Sequence, residues 1–389
     1  MAVSRELKAQ AAVEQLAGRI DAELGGSDRI SGGLILATAA AGNTAMEVGR
    51  GLGNCWPGAS LFGTSFEGIL ADGRIFRDEP AFAVLAWPED PYEPVPLVFE
   101  SGEQDAGRIA QDILLAAGRS ELSSKDLVLL FPDALGSPQL ERVLRELGPL
   151  LGQACLAGAA ATGVDGHPAQ AFLADEAQSG ALLGLFVPGT GEGTAPLVRC
   201  AGGSRSASPW LAITACRPRW VDGLDSEPPL DWVRRQLGLE PGSPVEPYLD
   251  RLLARVRRDV TGATGTRAPG YEEHYVIGVD DRRGSFSLPG AFQRGDELAL
   301  ALPDPEHARE TLRASIDELA ETSLLLQFAC RARDEAFYGD PDLESAWTAH
   351  HASDRRILGT VSPFQLAMND GGAPRLLVHS TVLAALGQR

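Results

Sequence analysis

The stretch with the most chemical promise is Gly63-Thr64-Ser65-Phe66-Glu67-Gly68, a serine set among small residues after a short apolar run. A serine nucleophile would stand on a G-x-S-x-G elbow, with a histidine base to take its proton. Here two residues separate the serine from the following glycine, and His167 is the one histidine in the first half of the chain. The spacing therefore argues against an elbow and for a turn of small residues that lets backbone approach a ligand or a neighbouring element. Cys330-Arg331-Ala332-Arg333 is the second constellation, at the end of an apolar run. Flanking guanidinium groups would lower a thiol pKa or hold a carboxylate or phosphate bidentately, whereas a buried cysteine between two solvated arginines would be inert.

Neither the histidines nor the carboxylates form a catalytic pattern. His350-His351 close a predicted helix, His379 falls within the last strand pattern and His274 precedes another strand. Each alone reads as a surface or packing residue, and His350, His351 or His379 would be the candidate axial ligands if the chain holds haem, although no Cys-x-x-Cys-His attachment is present. Asp280-Asp281 sits in a predicted hairpin turn, where aspartate serves the backbone, and Glu100-Ser101-Gly102-Glu103 reads as solvated loop charge. No Walker loop or dinucleotide fingerprint occurs, and the five scattered cysteines spell neither a disulfide framework nor a zinc site.

The elements that would position these residues recur along the chain. GLILATA around Leu34 reads as a buried strand, AMEVGRGLG as a helix, SLFGTSFEGIL as the small-residue turn and AFAVLAW as a closing strand. DLVLLFPD, PQLERVLRELGPLLG, CLAGAAATGV and ALLGLFV repeat that order, and SLLLQFACRAR, LESAWTAHH, ILGTVSPFQLAM and RLLVHSTVL repeat it again. From first strand to turn glycine the separations are 29 (Leu34 to Gly63), 31 (Leu127 to Gly158) and 35 residues (Leu324 to Gly359). The expected fold is α/β, with duplicated β-α-β-β units forming mixed sheets flanked by helices in two similar halves. The Gly-rich segment from Gly189 to Arg199 is the predicted boundary, giving halves of 1–190, with an N-terminal helix and two repeat units, and 191–389. PWLAITACRP reads as a strand, PLDWVRRQLGL as a helix opened by proline, EEHYVIGVDDRRGSFSLPGAF as a hairpin, and Gly262 to Glu273 as a loop.

Composition narrows the partners. The 389 residues are 44% hydrophobic and carry a formal net charge of −19, which opposes a nucleic-acid footprint or an anionic membrane surface. No signal-peptide core opens the chain, and no apolar run reaches the roughly eighteen residues a membrane helix needs. A cytoplasmic protein with small-molecule or protein partners is expected.

Taken in order, LFGTSFEGIL, DLVLLFPD and CLAGAAATG resemble the N-terminal half of the FIST domain. The segments CAGGSRSASPWLAITACRPRWVDGLDSEPPLDWVRRQL, YVIGVDDRRGSFSLPGAFQRGDELAL and LLLQFACRARDEAFYGDPDLESAW, followed by ILGTVSPFQLA, resemble its C-terminal half. That half usually carries a Gly-Glu pair a few residues after the glycine, and here the place reads Phe364-Gln365. The resemblance implies a sensory, signal-transducing module that binds a small ligand, with no fused output and with a partner signalling protein. It does not imply an enzyme, and haem-binding nitric oxide sensing is the alternative it carries, a diverged enzyme or interaction scaffold being the others. The expected ligand-lining residues are Gly63, Thr64, Ser65, Gly158, Cys330, Arg333, Gly359 and Thr360, with Arg333 capturing an anionic group. No cofactor or metal is required by the sequence, and His350, His351 or His379 would serve a haem.

Overall fold

A computed structural model describes residues 1–71, 73–89, 93–99, 105–135, 140–173, 176–189, 195–225, 227–257, 271–290, 292–319, 322–352, 355–368 and 373–388. The chain divides into two units, the first comprising Met1–Ala201, Glu310–Leu376 and Ser380–Arg389, and the second Gly202–Arg309 with Leu377–His379.

The first unit opens with β1 (Ala2–Ser4), α1 (Ala9–Leu24), β2 (Ile30–Thr38), α2 (Thr44–Cys55), β3 (Ser60–Phe66), the hairpin strands β4 (Gly68–Ala71) and β5 (Arg74–Arg77), and β6 (Phe82–Pro88). The same order follows in β7 (Val95–Phe99), α3 (Ala106–Ala117), β8 (Leu127–Phe131), α4 (Leu140–Leu151), β9 (Cys155–Ala159), β10 (Gln170–Leu173), β11 (Glu176–Ser179) and β12 (Leu182–Val187). A third copy starts at β13 (Leu197–Gly202), where the chain departs into the second unit.

There it forms β14 (Ser204–Ser206), β15 (Leu211–Arg217), β16 (Trp220–Leu224), α5 (Pro229–Gln236), β17 (Leu253–Arg257), β18 (Glu272–Tyr275), β19 (Gly278–Asp280), β20 (Ser285–Ser287) and β21 (Glu297–Pro303). These strands make one antiparallel sheet over a core of Trp232, Phe286, Leu298 and Leu300. The predicted hairpin turn lies between β19 and β20, and α5 begins with proline as expected. Most of the predicted loop from Gly262, residues 262–270, lies outside the described residues, as do residues 190–194 of the predicted boundary.

The chain returns along α6 (Pro305–Asp317) and completes the third copy with β22 (Thr322–Cys330), α7 (Glu335–Tyr338), α8 (Leu343–His351), β23 (Arg356–Ser362), β24 (Gln365–Met368), β25 (Arg375–Leu377) and β26 (Ser380–Gln388). Three six-stranded sheets result, in the orders β1-β6-β2-β3-β10-β11, β7-β12-β8-β9-β24-β25 and β13-β26-β22-β23-β4-β5. Each holds one parallel pair joined through a helix, flanked by antiparallel strands, and each is completed by a hairpin from another copy. The first copy lends β4 and β5 to the third sheet, the second lends β10 and β11 to the first, and the third lends β24 and β25 to the second.

The mixed α/β class is as expected, whereas the topology repeats three times and does not confirm two similar halves. Each sheet buries one face under its own helices. Leu140, Val143, Leu144, Leu147 and Leu151 of α4 recur at three- and four-residue spacing and meet Val128, Leu130 and Leu156. The opposite faces meet one another, Phe66 of β3, Phe131 of β8 and Phe328 of β22 stacking edge to face at centroid separations of 5.6 and 6.0 Å.

The glycines at the three predicted turns lie inside strands instead. Gly63 pairs with Ile35, Gly158 with Leu130 and Gly359 with Gln327, at the same register of each parallel pair. A Cβ there would stand 2.1, 1.9 and 1.9 Å from the carbonyl oxygen of the paired residue. The spacing seen in the sequence is thus a backbone requirement: neighbouring strands approach too closely for any side chain. No helix among the described residues is long and apolar enough to cross a membrane.

Candidate ligand site

The carboxyl ends of the three parallel pairs converge, and a cavity of about 600 Å³ opens where they do. Ala39 and Ala40 line it after β2, Glu67 after β3, Ala134 and Leu135 after β8, Thr162 to His167 after β9, Arg331 after β22 and Pro363 after β23. Every parallel strand of the unit therefore contributes the residues that leave its carboxyl end, the place where open α/β sheets build ligand sites. Asp78, just past β5, completes the wall.

Contacts between copies hold the strand ends together in a cycle. Ser65 Oγ donates to the Thr162 carbonyl at 2.7 Å while Thr162 N–H donates to the Ser65 carbonyl at 2.9 Å, joining the first copy to the second. Ala160 N–H donates to the Phe364 carbonyl at 3.0 Å, joining second to third. Arg331 meets Glu67 at 3.4 Å, joining third to first through a solvent-exposed ion pair of small energetic weight.

Asp133, one residue before the cavity-lining Ala134, is a buried carboxyl that does not itself line the cavity. It is 2% exposed and extends β8 by a parallel bridge to Ala161. Its Oδ1 accepts the Leu135 backbone N–H at 3.0 Å, and its Oδ2 is buried without a hydrogen-bond partner. Thr162 Oγ1 is likewise buried and unpartnered. The sequence reading passed over both; the Pro-Asp step ending the run LVLLF was the available signal, since aspartate there caps the following turn through its own side chain.

None of the eight residues expected to line the ligand lines this cavity. Thr64 Oγ1 donates to the Gln170 carbonyl at 3.1 Å, Ser65 is consumed by Thr162, and Thr360 is fully buried within β23. Cys330 is 1% exposed, its thiol 3.8 Å from the Pro363 carbonyl. What reaches the cavity is the next residue along, Arg331, together with Glu67 and Pro363.

Arg333 is not free to capture an anion. It is 2% exposed, with Nε 2.6 Å from Glu344 Oε2, NH1 donating to the Ala201 carbonyl at 2.8 Å and NH2 to the Tyr338 hydroxyl at 2.6 Å. Tyr338 donates in turn to Glu344 Oε2 at 2.8 Å, while Gln327 Nε2, at 3.3 Å, and Thr381 Oγ1 donate to Oε1. Three hydrogen-bond donors and the Arg333 ion pair thus satisfy one carboxylate, Arg333 Nε itself donating to the Tyr338 hydroxyl at 3.1 Å. Burial opposes the charge of Arg333, yet Glu344 and Tyr338 hold its pKa above the ordinary value. Burial and the Glu344 charge together push the Tyr338 phenol upward.

The histidines proposed for haem lie elsewhere. His350 and His351 end α8, the latter ring 4.7 Å from Trp347, and His379 is buried in the second unit with Nδ1 3.3 Å from the Tyr275 hydroxyl. None of them lines the cavity, whose one imidazole is His167. These placements do not fit a haem bound in this cavity.

A family model described as the FIST N domain matches residues 33–227, from the first β-α-β unit to the beginning of the second unit. No curated protein matches the chain significantly.

Proposed function

The chain belongs to the FIST family, whose domains are sensory, ligand-binding signalling modules, and from that premise we propose that it binds a small organic ligand at the converging strand ends and reports occupancy to a partner protein. The observation that carries this reading is the cavity itself. It is bounded by the ends of all three parallel pairs, so one ligand contacts all three copies at once. A ligand that binds one arrangement of those ends better than another shifts the population toward it by that difference in affinity. The cavity-lining residues after β8 and β9 and the Glu67–Arg331 pair are the groups such a ligand would meet. We read residues 191–389 as the family's C-terminal half, and the protein as cytoplasmic, a reading supported by its acidity and by five cysteines outside any disulfide.

Native mass spectrometry of the purified chain, compared with its denatured mass, tests the proposal. A discrete mass excess is expected for the folded protein, and Ala134→Trp, which fills the cavity from a half-buried position, abolishes it. An excess that persists in Ala134→Trp would place the ligand elsewhere and overturn the assignment.

A further inference from the structure

The cavity lining follows the threefold repeat residue by residue. The strand glycines fix equivalent positions, Gly63 facing Ile35, Gly158 facing Leu130 and Gly359 facing Gln327. Four residues past the glycines stand Glu67, Thr162 and Pro363, and four past their partners stand Ala39, Ala134 and Arg331. All six line the cavity, two from each copy. The parallel registers hold up to the residues just before these, in the pairs Thr38 with Phe66, Asp133 with Ala161 and Cys330 with Ser362, so the equivalence reaches the strand ends. Equivalent places nevertheless carry unlike chemistry. Charge falls at two of the six, Glu67 and Arg331, and these two meet, Nη1 standing 3.4 Å from Oε2. The other four are uncharged, and three of them are apolar. A ligand in the cavity therefore meets one ionic side, between the third copy and the first, and apolar walls elsewhere.

That pair keeps hydrogen-bonding capacity. Among the described residues the Glu67 carboxylate accepts from no group but Arg331, and the Arg331 guanidinium donates to no group but Glu67. Glu67 Oε1 is left as an open acceptor, and Arg331 Nε and Nη2 as open donors. Their backbones are fixed, Glu67 being the single residue between β3 and β4 and Arg331 N–H donating to the Ser362 carbonyl at 2.9 Å. A ligand group of one charge is attracted by one member of the pair and repelled by the other from a similar distance, so the two contributions largely cancel. Exposed Asp78 and Asp165 on the wall further oppose an anion. An uncharged group that both donates and accepts engages the two side chains together without parting them, and a cis amide does so with N–H and C=O on one edge. Resting on the cavity as the ligand site, we propose that the ligand is an uncharged molecule with such an amide edge, a lactam, imide or primary carboxamide. Its N–H donates to Glu67, its C=O accepts from Arg331, and its apolar body lies against Ala39, Ala134 and Pro363.

Ligand-observed NMR titration of the full chain with ε-caprolactam, N-methyl-ε-caprolactam, ε-caprolactone and 6-aminohexanoate reads this edge, because all four are built on the same carbon chain. ε-Caprolactam is expected to bind about tenfold or more tighter than the other three. Arg331→Met removes the donor to the carbonyl and should weaken lactam and lactone alike, whereas Glu67→Met removes the acceptor and should weaken the lactam alone. The two side chains are 57% and 36% exposed, so neither change should shift the urea midpoint appreciably, which separates lost binding from lost fold. Equal binding of the N-methyl lactam would show that the N–H is not read, and tighter binding of 6-aminohexanoate would show that separate charges are read instead. Either result, or no binding of ε-caprolactam, would overturn the amide assignment. In each of these cases loss of the co-purified mass in Ala134→Trp would leave the cavity reading intact, whereas lactam binding that persists unchanged in Ala134→Trp would sink both.

Discussion

Replacing Arg333 is expected to damage the fold and spare the ligand. Glu344 is buried and accepts three neutral hydrogen-bond donors, and Arg333 is its one paired cation. Arg333→Met therefore leaves a carboxylate in a low-dielectric interior with neutral donors alone, a loss of about 3–5 kcal/mol. Glu344→Leu strands the guanidinium and should cost a comparable amount. The double variant removes both charges, so it should cost less than the sum of the two single changes, with a coupling of about 3 kcal/mol between the two sites. Urea titration followed by circular dichroism reads these differences. With a slope of about 3 kcal/mol per molar urea, each single variant should lower the midpoint by about 1 to 1.7 M. Ligand occupancy per folded molecule, read by native mass spectrometry, should stay as in the unaltered chain. Additive costs below about 1 kcal/mol, accompanied by loss of the ligand, would refute the buried-pair account and return Arg333 to the binding site.

Two further changes probe the frame. Gly158→Ala would set a Cβ 1.9 Å from the Leu130 carbonyl oxygen, in a strand fixed on both sides, and should cost about 3 kcal/mol in denaturation experiments; Gly53→Ala, at a helical site with nothing within 4 Å, should instead stabilise by about 0.5–1 kcal/mol. In the second unit, Arg217 donates through Nε and NH2 to Asp222 at 2.8 Å each and Ser285 adds a third donor at 2.7 Å, holding the carboxyl below its usual range. Because the folded value is depressed, this contribution is complete above the unfolded carboxylate pKa and is lost as pH falls through the folded one. Asp222→Asn should accordingly cost about 1 kcal/mol near neutrality and progressively less in acid, and a stability difference that grows on acidification would contradict the assignment.

Local signals were readable and non-local ones were not. The apolar runs LVLLF and SLLLQFAC and the three- and four-residue spacing of PQLERVLRELGPLLG announced their strands and helix, because side-chain period follows from local geometry. The recurring glycine was visible too, but glycine marks a turn and a close strand approach equally, and the paired carbonyl that decides between them comes from a segment roughly thirty residues earlier. Nor could sequence show that Gly68 pairs with Val361, since each hairpin finds its sheet in another copy. The cavity is lined by residues displaced a little along the chain from those expected to line a ligand site. Cys330 and Arg333 turn inward while Arg331 faces the cavity, and whether a residue points in or out at a strand end depends on how the strand stops. Asp133 escaped notice because a lone aspartate after a proline is ordinary until its second oxygen is found without a donor.

The exchanged hairpins have a consequence for the chain as it is made. In a solenoid each added repeat stacks on its predecessor and the array can lengthen or shorten. Here the cycle closes, so the number of copies is fixed at three, and the hairpin made first is accepted by the sheet made last. During synthesis β4 and β5 emerge early and wait for β23 with an open edge, a state that invites pairing with other nascent chains. Such distant pairing also raises contact order, which slows folding. Productive assembly therefore waits for the carboxyl-terminal strands, and a ribosome-stalled or truncated product lacking β22 to β26 would leave β4 without its acceptor, β9 without its hairpin and the ligand cavity without Arg331 and Pro363.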